Sequence, residues 1–218
     1  MTYRAVLFDF DYTLADSTRG IEECINYALA EMNLPAVSAM AISETVGLSL
    51  RDTFCRLNAS PTDEQCAEFS RHFIARADQV MVENTHLYDT TRTVIPDLKQ
   101  RGLSIGVVST KYRHRIEDVL ARERMREYFD VIVGGEDVAC HKPHPEGALK
   151  AVEALRAGAE QTLYVGDSVV DAETAKRAKL PFVAVLTGVT RKDAFAGYDA
   201  IALVDSLTSV AELLNGHR

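Results

Sequence analysis

Apolar residues fall into two kinds of run along this chain. The first kind is short and continuous: Ala5-Val6-Leu7-Phe8, Leu103 to Val108, Val131-Ile132-Val133, Thr162-Leu163-Tyr164-Val165 and Phe182 to Leu186, with a weaker sixth at Ala200 to Val204. These runs are rich in β-branched or aromatic residues, and most lead through a polar or glycine turn into a helical pattern. Strands that are apolar on both faces and alternate with helices predict a parallel sheet covered on both sides.

The second kind occupies the stretch from Asp16 to about Tyr88, where the strand signal vanishes. Ile21, Cys24/Ile25, Ala28/Leu29 and Met32 recur at helical spacing, with Pro35 as the expected stop. A second helix is expected around Leu50, Phe54 and Leu57, and a third from Pro61-Thr62-Asp63-Glu64 through Phe69 and Phe73 to Val80. Roughly 70 helical residues are too many for a loop. The expected fold is therefore α/β, a doubly wound parallel-sheet core from residues 1–15 and 89–218, interrupted by a helical subdomain at 16–88.

Composition narrows the partners. The 218 residues are enough for one large core with an insert. With 24 Lys and Arg against 32 Asp and Glu, the net charge is −8. That balance argues against nucleic acid or an anionic membrane as the main partner, since tracking phosphates requires clustered basic residues. No segment approaches eighteen apolar residues, and Met1-Thr2-Tyr3-Arg4 runs straight into the first strand rather than a signal peptide. Cys24, Cys55, Cys66 and Cys140 form no C-x-x-C pair, so a cytoplasmic protein with reduced cysteines is expected. Oligomeric state is left open.

Four signals carry chemistry. Asp9-Phe10-Asp11-Tyr12-Thr13 closes the first strand, at the edge where parallel sheets bind ligands. Ser109-Thr110 closes the second and precedes a helical stretch from Tyr112 to Phe129, so it offers a helix cap or an anion site. Lys142 lies in Cys140-His141-Lys142-Pro143-His144-Pro145, where two prolines stiffen the backbone. Gly166-Asp167-Ser168-Val169-Val170-Asp171 closes the Thr162 strand, with Asp167 the expected N-cap on a purely structural reading. Converging carboxylates repel one another, and a hard divalent cation such as Mg²⁺ relieves that repulsion. A carboxylate nucleophile, a second carboxylate two residues on, Mg²⁺ and a lysine make a complete set for phosphoryl transfer through an aspartyl-phosphate.

In this order the four motifs resemble those of the haloacid dehalogenase-like hydrolases, specifically phosphatases with a helical cap inserted after the first motif. The resemblance covers essentially the whole chain. It extends to Gly47-Leu48-Ser49-Leu50-Arg51-Asp52-Thr53-Phe54 and Gly134-Gly135-Glu136-Asp137-Val138, which are worded as in phosphoglycolate phosphatase-like and pyrophosphatase-like members.

The resemblance implies a Rossmann-like core and a role for each matching position. Asp9 is the expected nucleophile, and Asp11 the acid and then the base. Asp9, the Asp11 backbone carbonyl and Asp167 are the expected Mg²⁺ ligands, with Asp171 supporting directly or through water. Ser109 and Lys142 are expected to bind the phosphoryl oxygens, with Thr13 and Thr110 as further substrate contacts. Arg51 is the cap candidate for a second anionic group, with a solvated helix-start arginine as the open alternative. Lys111 is placed either on the substrate or in solvent. Tyr12 departs from the family, which most often has Gly there to ease a tight turn. Asp16-Ser17 and Leu87-Tyr88-Asp89 are the expected hinges.

The expected activity is hydrolysis of a small phosphorylated metabolite. Pyrophosphate hydrolysis and a phosphosugar mutase resembling β-phosphoglucomutase are the close alternatives. A non-catalytic phospho-accepting or binding module is the alternative of a different class.

Overall fold

Val6 and Phe8 of strand β1 (Ala5–Phe8) pack into one apolar cluster and Leu7 into another, and all three are fully buried. The computed structural model describes residues 3–215, so the ends of the expected core, 1–2 and 216–218, lie outside the described residues. Strand β1 pairs in parallel with β4 (Ser104–Val108) on one side and β6 (Thr162–Gly166) on the other. Beyond β4 lies β5 (Val131–Val133), and beyond β6 lie β7 (Phe182–Val185) and β8 (Ala200–Val204). The order is β5-β4-β1-β6-β7-β8, all parallel, and each of the six apolar runs supplies one strand.

Helices cover both faces. On the Val6/Phe8 side, α5 (Asp89–Gln100) contributes Val94, Ile95 and Leu98, α6 (Arg113–Arg122) contributes Ile116 and Val119, and α9 (Leu207–Asn215) contributes Val210. On the Leu7 side, small residues of α7 (Glu146–Ala154) and α8 (Val169–Ala178), among them Ala148, Ala151, Ala172 and Ala175, pack close to Tyr164. The strand order reverses at β1, which leaves a crevice at the C-terminal ends of β4, β1 and β6.

The helical segment has a core of its own. Helices α1 (Thr18–Glu31), α2 (Ala39–Ser43), α3 (Leu50–Leu57) and α4 (Asp63–Val80) bury Ile25, Leu29, Phe54, Phe69 and Phe73 against one another. The Phe54 and Phe69 rings stack with centroids 4.7 Å apart. Thr62 opens α4 with a capping box, its hydroxyl accepting from Gln65 N while the Gln65 side chain accepts from Thr62 N. Pro35 does not stop α1. The helix ends earlier, where Asn33 takes φ 56° and Leu34 N donates to Leu29 O at 2.8 Å, the closure that a left-handed residue permits.

The chain leaves the sheet and returns to it side by side. Strands β2 (Ala15–Asp16) and β3 (His86–Leu87) pair antiparallel, Ala15 opposite Leu87 and Asp16 opposite His86. Tyr88 N and the Thr91 hydroxyl both donate to Leu14 O, which ties the return to the departure. No helix among the described residues is long and apolar enough to cross a membrane.

Truncating the stacked pair tests this second core. Phe69→Ala should cost about 3–5 kcal/mol in chemical denaturation, whereas the cap deletion Thr62→Ala should cost about 1 kcal/mol. A Phe69→Ala loss no larger than that of Thr62→Ala would deny the ring its place as a core anchor.

Candidate active site

Three neighbouring strands end at the crevice, and each delivers a polar residue. Asp9 follows β1 and its N–H donates to Val165 O of β6 at 2.9 Å, while Ser109 N donates to Val133 O of β5 at 3.0 Å. Asp167 follows β6. Lys142 arrives from the loop after β5 and shares the lining of a narrow cleft with Ser109 and His141. The four motifs therefore meet at one sheet edge, as the strand order requires.

The turn after Asp9 depends on Tyr12, which adopts φ 62°. This is the left-handed geometry that favours glycine, and for another residue it costs roughly 1–3 kcal/mol. The surroundings hold it in place. Tyr12 N donates to Ala15 O at 2.7 Å, the Thr187 hydroxyl donates to Tyr12 O, and the phenol accepts from the Thr18 hydroxyl at 3.2 Å.

Asp9, Asp167 and Asp171 are 2, 5 and 0% exposed, and their carboxylate oxygens come within 4.8 Å of one another. Buried Lys142 is the cation among them. Its ammonium donates to Asp171 Oδ1 at 2.7 Å. It also stands 2.7 Å from Asp9 Oδ1, so one ammonium bridges two buried carboxylates. Burial disfavours the ammonium, yet Asp171 and Asp9 outweigh it and hold the Lys142 pKa well above the ordinary lysine value.

The acids respond the opposite way. Burial pushes Asp9 up to about 7, against the lowering effect of Lys142 and with help from Asp171 and Asp11. Burial, then Asp171 and Asp9, raise Asp167 well above the carboxylate range. Close packing maintains the crowding: a Cβ at Gly188 would lie 1.9 Å from Asp167 Oδ2, and one at Gly166 would lie 2.5 Å from the Asp171 carboxyl carbon.

Asp11 faces away from this cluster. Its Oδ1 accepts from Lys111 Nζ at 2.8 Å and from the Ser17 hydroxyl, and Ser17 in turn accepts from Lys111 at 3.2 Å. Lys111 is not the solvated lysine its residue type suggests; it is 8% exposed and lies over the Phe10 ring. Its signal was its place just after Ser109-Thr110, at the end of a central strand. Ser17 gave none beyond its nearness to Asp11, since folding back depends on the β2 turn.

Other expected residues need correction. The Thr13 hydroxyl is fully buried and donates to Asp167 Oδ1 at 3.2 Å, so it orients a carboxylate instead of facing a substrate. The N-cap of α8 is Ser168, one residue beyond Asp167, in a capping box with Asp171. Both Asp171 oxygens are occupied: Oδ1 by Lys142 and, at 3.4 Å, Tyr164 Oη, and Oδ2 by Ser168 Oγ at 2.6 Å. Arg51 lies on the rim of the cavity beside Asp11, but its side chain is 58% exposed and its guanidinium pairs with Asp63 at 2.5 Å. Thr110 lines that cavity and Ser109 is buried at the strand end, where its Oγ accepts from Lys111 N at 3.3 Å.

Comparison with known proteins places this geometry. The sequence profile of haloacid dehalogenase-like hydrolases matches residues 6–185. Pyrophosphatase PpaX of Oceanobacillus iheyensis is 34% identical over 185 residues, 85% of this chain and 84% of that protein. A phosphoglycolate phosphatase of Salmonella choleraesuis is 29% identical, spanning 97% of this chain and 92% of its own. Among solved structures, a haloacid dehalogenase-like hydrolase from Bacteroides fragilis superposes with a TM-score of 0.93 at 39% identity, over 96% of this chain and 100% of that one. With its sequence matched from the first strand to the fifth core strand and its fold matched throughout, the chain belongs to the haloacid dehalogenase-like hydrolase family.

Proposed function

We propose that this protein is a Mg²⁺-dependent phosphatase that removes the phosphoryl group of a small phosphomonoester by way of an aspartyl-phosphate on Asp9. The observation that carries the reading is the buried cluster of Asp9, Asp167 and Asp171, three carboxylates that share a single lysine at the strand ends. Family membership and relatives named as phosphatases support it.

The donor set suits a hard cation: oxygen ligands, several negative charges and one lysine in a buried site. Asp9, Asp167 and the Asp11 carbonyl would hold it. When bound, Mg²⁺ supplies positive charge for the carboxylates and the phosphate oxygens. Asp171 acts at one remove, because its oxygens are occupied by Lys142, Tyr164 and Ser168.

An Asp9 oxygen attacks phosphorus and the bond to the leaving oxygen breaks. Lys142 and Ser109 receive the equatorial oxygens, where fixed donors favour developing charge. Asp11 passes a proton to the leaving oxygen and later takes one from the water that attacks the aspartyl-phosphate. Lys111 and Ser17 hold its carboxyl for both steps. Residues 16–88 serve as a cap that pivots on the β2–β3 pair and excludes water on closing.

Phosphate release from a panel of phosphoglycolate, hexose phosphates, nucleotides and pyrophosphate tests the activity. Mg²⁺ should support turnover, EDTA should abolish it, and Asp9→Asn should lower it by at least about a thousandfold. Isomer formation from a hexose phosphate would indicate a mutase. Magnesium-independent binding without turnover would sink the enzyme reading.

The raised acids also set a pH dependence. The Asp9 pKa is about 7 in the folded state, against about 3.9 in an unfolded chain, and Asp167 shifts in the same direction. Across that window the folded state holds protons that the unfolded state has released, so the metal-free protein loses stability as pH rises from about 4 to 7. Bound Mg²⁺ would take the place of those protons. Its effect on Tm should therefore be larger near pH 7.5 than near pH 5 in paired melts with Mg²⁺ and EDTA; an equal or reversed effect would remove Asp9 and Asp167 from the ligand set.

A further inference from the structure

The leaving group must lie where Asp11 can reach its oxygen, and one cavity meets that condition. It has a volume of about 370 Å³ and runs from Asp11, Thr110 and Lys111 of the sheet edge into the helical segment. Asp9, Asp167 and Asp171 do not line it. The phosphoryl group and the remainder of the substrate therefore occupy separate compartments, with Asp11 at the boundary.

The compartment for the remainder has predominantly apolar walls, and its charged side chains are already paired. Ile21, Ile25, Leu48, Phe73, Ile74 and Met81 form its walls. Each cation on its lining is matched by a carboxylate: Lys111 by Asp11 at 2.8 Å, Arg115 by Asp78 at 2.6 Å and Arg51 by Asp63 at 2.5 Å. Arg115 is 3% exposed and also donates to Ile74 O. Diverting Lys111 or Arg115 to a second anion would strip a carboxylate of its buried partner, a costly exchange.

Three of the lining hydroxyls are likewise committed, whereas Thr53, Thr110, Tyr112 and the His141 ring make no side-chain hydrogen bond among the described residues. Thr45 donates to Ile42 O at 2.7 Å, Ser49 to Asp52 at 2.6 Å and Ser70 to Cys66 O at 2.8 Å. A polyhydroxylated sugar would set polar groups against the apolar walls, away from the few partners that Thr53, Thr110, Tyr112 and His141 offer, and an unpaired buried polar group is penalised. An alkyl or aryl group gains from the same walls.

Resting on the phosphatase reading above, we infer that the leaving group is an uncharged, predominantly apolar alcohol or phenol, and that this cavity selects it over substrates with a second anionic group. This separates the chain from the substrates for which PpaX and phosphoglycolate phosphatase are named.

A series of n-alkyl phosphates from ethyl to hexyl tests the inference, because chain length varies while the leaving oxygen stays chemically constant. The kcat/KM should rise about three- to fourfold per methylene until the cavity is full. Isobutyl phosphate should exceed the near-isosteric phosphoglycolate at least tenfold. Leu48→Arg, which adds a cation to a partly exposed wall position, should flatten the series and raise phosphoglycolate turnover.

A flat series in the wild type, or a preference for phosphoglycolate or pyrophosphate, would overturn the inference and leave the phosphatase reading standing. Calorimetric binding of n-alkylphosphonates with Mg²⁺ separates the two claims. Affinity that climbs with chain length, without hydrolysis of any ester, would support the apolar compartment and reject the phosphatase. Loss of both trends would reject both.

Discussion

One ammonium group holds the site together. Lys142 Nζ stands 2.7 Å from both Asp9 and Asp171, in a pocket where all three side chains are nearly sealed from water. In such surroundings a lone charge is expensive, and the attraction between opposite charges is correspondingly strong. The compensation is incomplete, because Asp167 brings a third carboxylate to a single ammonium. The site therefore gathers more carboxylates than its own cation can balance, an imbalance that protons relieve and that the proposed Mg²⁺ would relieve in their place.

The sheet makes this crowding possible. With β1 at the reversal of strand order, residues distant in sequence emerge side by side, and the rigid strand ends prevent the acids from moving apart. Thr13 holds Asp167, Ser168 and Tyr164 hold Asp171, and Lys111 with Ser17 holds Asp11. The glycines at 166 and 188 let the backbone approach the carboxylates more closely than any side chain would allow.

Much of this could be read from the sequence because strands buried on both faces leave a continuous apolar signature, and the motif residues follow those strands directly. All six strands of the parallel sheet, and the convergence of Asp9, Asp167 and Lys142, were legible for that reason, whereas the short β2 and β3 left no such run. Less legible were features set by contacts between distant segments. A lysine such as Lys111 carries no local mark of burial, and the pairing of Arg51 with Asp63 depends on how α3 meets α4. The Thr13 hydroxyl turns inward because Asp167 approaches from a strand more than 150 residues away. The end of α1 at Asn33 instead of Pro35 reflects a local left-handed closure that apolar spacing does not encode.

The β2–β3 pair has an architectural consequence. Because Ala15 sits opposite Leu87, the sheet meets everything between them as the two strands of a hairpin. The intervening helices can lengthen, shorten or be rebuilt without displacing β1 or α5, since neither strand end has to move to accommodate them. On the proposed function, substrate choice would change through one loop-like insertion while the chemistry stays fixed at the sheet edge, a stable chemical base with an exchangeable reader.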